Sequence, residues 1–278
     1  MPELPEVETI KRELDKAILG KRIADVVVNN AKVIREPKKE RFIKELKNAI
    51  IKKIIRKGKL LIFELRSRQT RLPRKSLTIH LKMTGQLIYP STTLGTSPRK
   101  ATRVSFKFAD GKILDFNDTR LFGELRLIDD WRKMKFIKEL GPEPFDITAG
   151  KFRQMLMKKK TKIKVLLLDQ KFISGIGNLY ANEALFRAKI DPRRPANSLS
   201  DKETALLFKE IKDTLQEAIH YKGSSVDQYV QLSGKSGNYV QFHQVYDRAG
   251  EKCFKCKSKI ERISLGGRGT YFCPACQK

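Results

Sequence analysis

Two places in the 278-residue sequence combine residue types that can do chemistry. The first lies near the C-terminus, where all four cysteines fall as Cys253-x2-Cys256 and, sixteen residues later, Cys273-x2-Cys276. Two such knuckles supply four thiolates, the donor set for one tetrahedral zinc ion, and four protein ligands leave no open position for catalysis. So short a segment has almost no core, and the metal supplies much of its folding free energy. Two disulfides are the competing reading, disfavoured in a reducing cytosol. The second place is the start, Met1-Pro2-Glu3. Loss of Met1 ahead of the small Pro2 exposes a secondary α-amine of pKa about 8, so that roughly a fifth to a third is neutral at about pH 7.4, against about a thousandth of a typical lysine. Attack by such an amine on a sugar C1′ gives a cationic iminium, an electron sink that acidifies the 2′ proton and invites phosphate elimination. Glu3 can deliver a proton to the ring oxygen or to a leaving base. Pro-Glu is equally ordinary helix-entry chemistry.

Charge points to the partner. Lys+Arg number 59 against 31 Asp+Glu, a net of +28, and a compact chain tolerates that self-repulsion best with a polyanion bound. Nucleic acid is the expected partner, with salt-sensitive binding; general lysine enrichment is the bland alternative. No apolar run approaches the length that crosses a bilayer. The N-terminus lacks the basic and apolar regions of a signal peptide, so the chain reads as cytosolic.

The elements that must position these residues follow from periodicity. Leu4, Val7, Ile10, Leu14 and Ile18 have helical spacing, with Pro5 in the first turn. Residues 22–130 read as short strands, among them Leu60 to Phe63, Leu77 to Tyr89 and Leu125 to Ile128. Val104, Phe106 and Phe108 alternate, Asp110-Gly111 makes a turn, and Ile113, Leu114 and Phe116 follow, a hairpin signal. Together these suggest a β-sandwich. Gly141-Pro142-Glu143-Pro144 breaks the pattern, and helical segments follow around Phe152 to Leu156, Val165 to Leu168, Asn178 to Ala188 and Asp201 to Tyr221. Lys222 to Asn238 reads as a long mobile loop. Ile260 to Ile263 and Thr270 to Phe272 pair around a Leu265-Gly266-Gly267-Arg268-Gly269 tip, whose glycines allow a phosphate to approach the Arg268 guanidinium. The fold expected is α+β: a β-sandwich with flanking helices over 1–140, a helical domain over 141–248 and a zinc-ribbon hairpin over 249–278.

The string Met1-Pro2-Glu3-Leu4-Pro5-Glu6-Val7-Glu8-Thr9 resembles the start of the bacterial formamidopyrimidine-DNA glycosylase family, bifunctional enzymes that remove 8-oxoguanine and ring-opened purines. Arg56-Lys57-Gly58-Lys59-Leu60-Leu61 resembles its basic strand entry and His80-Leu81-Lys82-Met83-Thr84-Gly85 its Met-bearing turn. Asn117-Asp118-Thr119-Arg120-Leu121-Phe122-Gly123 resembles its Arg/Phe wedge loop, and Gly175 to Leu185 its helix–two-turn–helix signature. Gly267 to Cys273 closes the series, in family order across the whole chain. The resemblance implies a glycosylase/lyase of base excision repair, monomeric, acting on double-stranded DNA that contains oxidised purines and associated with the nucleoid through that DNA. Pro2 would be the Schiff-base nucleophile and Glu3 the proton donor for base release. Lys59 would assist β-elimination, and Arg268 the δ-elimination at the other phosphate. Met83, Arg120 and Phe122 would fill the gap left by a flipped nucleotide. Asn178, at a helix N-terminus, and Lys159 would hold phosphates.

Each residue has a plainer reading: Lys59 as one base among many, Met83 and Phe122 as core, Asn178 as a helix cap. Pro98-Arg99-Lys100-Ala101-Thr102-Arg103 lacks the family's histidine for DNA contact, for which Lys100 or Arg103 can substitute, and Asp227 stands where a basic residue is common. The basic stretch Arg66 to Lys75 has no evident role, and His80, His220 and His243 lack ligand spacing. Two other readings compete: an endonuclease VIII-like glycosylase for oxidised pyrimidines, and a non-catalytic zinc-ribbon protein that binds nucleic acid.

Overall fold

The stripe of Leu4, Val7, Ile10, Leu14 and Ile18 forms the buried face of helix α1 (Leu4–Ile18) in the computed structural model of the chain. The structure describes residues 1–67, 75–90, 101–226 and 228–278. These form two compact units, one of Met1–Lys138 with Tyr221–Asn238, the other of Glu139–His220 with Tyr239–Lys278.

In the first unit α1 is followed by β1 (Ile23–Val28), β2 (Ile34–Glu36), α2 (Lys39–Leu46), β3 (Ala49–Lys57), β4 (Leu60–Ser67), β5 (Lys75–His80), β6 (Gly85–Ile88), β7 (Thr102–Phe108), β8 (Ile113–Asp118), β9 (Glu124–Ile128) and the short α3 (Lys135–Glu139). One sheet runs β1-β7-β8-β6, the other β2-β9-β5-β4-β3. Val104, Phe106 and Phe116 of the first sheet share one buried core with Ile54, Phe63, Leu77, Ile79 and Leu125 of the second. This is the expected sandwich: alternation puts every second side chain inside, and the stripe of α1 joins that core.

Three details depart from the sequence reading. Residues 39–46 are helical, because Phe42 and Leu46 sit four apart and bury together while Lys39, Glu40 and Arg41 stay exposed. The apolar run Leu77 to Tyr89 is two strands, since Lys82 turns at φ +53° and carries the chain from the five-stranded sheet to the four-stranded one. Leu81 is buried at that corner, so hydrophobicity alone runs straight through it. Lys222 to Asn238, apart from position 227, is a docked segment of the first unit rather than a loose loop. Its Tyr229 and Leu232 lie in the core, and Glu6 and Glu13, two turns apart on α1, accept the N–H groups of Ser224 (2.9 Å) and Leu232 (2.8 Å).

The second unit contains α4 (Ala149–Leu156), α5 (Ile163–Leu168), α6 (Asn178–Arg187), α7 (Asp201–His220) and the hairpin β10 (Glu261–Leu265) and β11 (Arg268–Phe272). The connection between α5 and α6 carries Gly175 at φ +94°. Phe152 of α4 stacks on Phe208 of α7 with ring centroids 5.0 Å apart. Among the described residues no helix is long and apolar enough to cross a membrane.

Candidate active site and metal centre

The first unit presents a buried start and an exposed cluster. Pro2 and Glu3 are both buried, and Glu3 caps α1. The Glu6 carboxylate fixes this entry by accepting the Glu3 N–H at 2.8 Å while its other oxygen takes Ser224. Lys59 follows Gly58, whose φ of +55° makes the tight β3–β4 turn, and is only 6% exposed. Arg56 brackets that turn: Nε donates to Glu8 Oε2 at 2.8 Å and Nη1 to the Gly58 carbonyl at 3.0 Å. One guanidinium thus links the turn carrying Lys59 to the helix carrying Glu3. Burial raises the Glu8 carboxyl, but its bonds to Arg56 and Arg12 outweigh this and hold it below its ordinary value.

Met83, Arg120 and Phe122 come together at the surface. Arg120 Nη1 lies 3.7 Å from Met83 Sδ, and its guanidinium carbon lies 4.7 Å from the Phe122 ring centroid. Met83 and Phe122 are 39% and 46% exposed, so the reading of either as core is excluded. The cluster is thus an apolar pair with a cation against both members, held outside the core. Arg103, offered as a DNA contact, donates Nε to the Asp118 carbonyl at 2.6 Å, bracing the same loop. Lys100, Asp227 and most of the stretch 66–75 lie outside the described residues.

His80 is neutral. Burial, with Lys82 and Lys59 nearby, lowers it to about 3, and its Nδ1 accepts the Lys82 N–H at 3.0 Å, leaving the proton on Nε2. It lines a cavity of about 390 Å³ with Leu60, Thr78 and Phe136.

In the second unit, Gly266 and Gly267 at φ +59° and +70° make a two-residue turn, so Arg268 is the first residue of β11, paired with Leu265, and exposed. Asn178 is the first residue of α6 rather than its cap, which is Gly177. Its Nδ2 donates to the Gly269 carbonyl at 3.0 Å, bringing Asn178 and the Arg268 strand together. Lys159 is exposed on the turn after α4.

Sequence reasoning missed two residues here. Lys164 is fully buried and donates Nζ to Thr270 Oγ1 at 2.7 Å and to the Gly269 carbonyl at 3.1 Å; a lysine inside the apolar run Ile163 to Leu168 was the available signal. Glu183 is also fully buried, with its carboxyl pushed up by burial. It accepts the N–H groups of Gln244 (2.9 Å), Val245 (3.0 Å) and Tyr246 (2.8 Å), which fixes the chain before the hairpin.

The four cysteine sulfurs lie within 4.8 Å of one another, with Cys253–Cys276 at 3.9 Å and Cys256–Cys273 at 3.4 Å. Neither separation permits a disulfide. Zinc–sulfur bonds of about 2.3 Å in a tetrahedron place sulfurs about 3.8 Å apart, so the four thiols fit one zinc ion. An ion held by all four would close the base of the hairpin and have no open position for bond making.

Comparison with known proteins gives a consistent result. The formamidopyrimidine-DNA glycosylase N-terminal domain matches residues 1–125, the H2TH domain of the same glycosylases residues 140–230, and the zinc finger found in FPG and IleRS residues 250–278. The formamidopyrimidine-DNA glycosylase of Pelotomaculum thermopropionicum is 42% identical, covering 100% of this chain and 99% of the relative. That of Streptococcus pneumoniae is 40% identical with the same coverage. Among solved structures, Lactococcus lactis Fpg in complex with DNA containing an abasic site has a TM-score of 0.89 at 37% identity, covering 99% of each chain. A mutant of that protein with Fapy-dG-containing DNA has a TM-score of 0.88 at 38% identity over 100% of both chains.

Proposed function

The chain belongs to the formamidopyrimidine-DNA glycosylase family, DNA-binding base-excision-repair glycosylases with abasic-site lyase activity and one structural zinc ion, and we propose that its lesions are oxidised purines, 8-oxoguanine and formamidopyrimidines, removed through a Schiff base on Pro2. After Met1 is removed, the Pro2 nitrogen attacks C1′ of the flipped nucleotide as Glu3 protonates the departing base or the opening ring oxygen. The resulting iminium draws electrons from the C2′–H bond. Lys59 assists loss of that proton, and the C3′–O bond breaks to expel the 3′ phosphate. Arg268 steadies the second phosphate while a proton leaves C4′ and the C5′–O bond breaks; hydrolysis then frees Pro2. Met83 and Phe122 occupy the vacated stack and Arg120 faces the orphaned base, where cytosine acceptors suit a guanidinium. Asn178 and Lys159 hold phosphates. The protein acts as a monomer, at the chromosome of a bacterial cytoplasm, and its sequence domains meet near residues 140 and 248, with Tyr221–Asn238 returning to the first unit.

What supports this reading most is the coexistence in one unit of a buried Pro2–Glu3 start and an exposed Met83–Arg120–Phe122 cluster. One suits a reacting sugar, the other an open base stack. Borohydride should trap a covalent adduct between the protein and an 8-oxoguanine duplex, and Pro2→Gly should lose it; an undiminished adduct from that variant would refute the assignment. A solved relative, Lactococcus lactis Fpg, has been captured with oxidised-pyrimidine DNA, which keeps a broader lesion range as the second reading. Excision of thymine glycol faster than 8-oxoguanine would favour it.

A further inference from the structure

We infer that Asp118, which touches no nucleic acid in the scheme above, is the positioning residue that holds the Met83 turn and the Arg120–Phe122 loop as one rigid wedge; this rests on the wedge reading of those three residues. Asp118 ends β8 and is fully buried. Its carboxylate is divided between two segments. Oδ2 accepts the Gly123 N–H at 2.7 Å, and Oδ1 accepts the Arg120 N–H at 3.2 Å and the hydroxyl of Thr84. The Thr84 oxygen also receives the Arg120 N–H at 3.3 Å, so Thr84, next to Met83, is joined to the loop from both sides.

The geometry accounts for why such a clamp is needed. Leu121, between Arg120 and Phe122, has φ +59°, and Lys82, beside Met83, has φ +53°. Both are left-handed conformations that side-chain-bearing residues disfavour, and they persist only where the surroundings over-determine them. Asp118 spans Leu121 by taking one N–H on each side of it. Its own peptide is fixed in turn, the N–H to Ala101 at 2.8 Å and the carbonyl by Arg103 at 2.6 Å. Gly123 belongs to the same device. A Cβ there would lie 3.0 Å from Asp118 Oδ2 and 2.5 Å from Phe116 Cζ, so only glycine lets its N–H reach the carboxylate. The three wedge side chains are exposed, with Arg120 against both Met83 and Phe122, but those contacts do not set their direction. The buried carboxylate does, through the backbone N–H groups of Arg120 and Gly123 and the hydroxyl of Thr84.

A wedge held this way matters only when there is a stack to open. The test therefore compares strand cleavage at a preformed abasic site in a duplex with cleavage of the same site in a single strand, together with the fluorescence rise of a 2-aminopurine placed next to the site in the duplex. Asp118→Asn keeps the shape but turns one acceptor into a donor, which faces either the Gly123 or the Arg120 N–H whichever way the amide lies. Its duplex rate should fall by about 10-fold or more, as expected for reacting groups misplaced by a fraction of an ångström, with the fluorescence rise reduced. Its single-strand rate should stay near that of the unaltered protein. Thr84→Val, which removes only the hydroxyl link, should show a smaller change in the same direction and serves if Asp118→Asn does not fold. An unchanged duplex-to-single-strand ratio and fluorescence rise would overturn the inference, as would equal loss on both substrates. Phe122→Ala separates the levels. If that variant also keeps the ratio, the wedge reading fails; if it loses the ratio while Asp118→Asn and Thr84→Val keep it, the wedge stands and the clamp does not.

Discussion

Replacing Arg56 with glutamine is expected to weaken the first unit and to slow strand cleavage by loosening the turn that carries Lys59. The bond to Glu8 is 2.8 Å long between side chains only 10% and 16% exposed, and that to the Gly58 carbonyl is 3.0 Å. A hydrogen bond to a charged group contributes about 1.5–3 kcal/mol, and both bonds made by the guanidinium are of this kind. Glu8 keeps Arg12 at 2.8 Å, so its carboxylate is not stranded and the lower part of that range applies. The loss comes to about 3 kcal/mol, and at roughly 2–4 °C per kcal/mol the transition of this unit should drop by about 6–12 °C. Freed of its bracket, the Gly58 turn lets Lys59 drift, and a displacement near 1 Å costs up to about 100-fold in rate. Single-turnover cleavage of a duplex with a preformed abasic site should therefore slow by about 10- to 100-fold below the melting temperature. Borohydride trapping on the same substrate should be much less affected, because the bracket acts on the turn and leaves Pro2 at the helix start. A variant that melts as calculated but cleaves at the normal rate would refute the idea that Arg56 positions Lys59.

Two further outcomes follow from the same geometry. Chelating zinc should abolish DNA binding while the β-sheet signal of the first unit survives, because the four thiols at the base of the hairpin lose their common ligand; a chelated protein cutting at full rate would contradict this. Acid should weaken the fold well above the carboxylate range. Burial lowers His80 to about 3 and His243 to about 4, against about 6.5 in an unfolded chain, so below about pH 6.5 the unfolded state binds protons that the folded state refuses and stability falls with pH. At pH 5 each histidine removes about 2 kcal/mol, which melts at pH 7.5 and 5 should register, and His243→Gln should remove about half of that pH dependence.

Some of this was legible in the residues. The Cys-x2-Cys pairs determine a four-thiol site whatever surrounds them, because ligand identity and spacing are local. The 3.6-residue stripe of α1 and the alternation of β7 place core faces for the same reason, and Gly266-Gly267 dictates a turn. What the sequence could not supply is the partner of each polar group. Phe122 and Met83 read as core by type, yet lie outside it beside Arg120, because left-handed turns at Lys82 and Leu121 direct them outward. Helix α2 and the corner at Leu81 escaped because short segments bury few residues, and tertiary contact decides their state. Asp118, Glu183, Lys164 and Arg56 look like ordinary charges in a chain full of them. Only the folded structure sets each against the backbone it holds, since a buried charge is tolerated where hydrogen bonds replace its water, and those bonds join residues far apart in sequence.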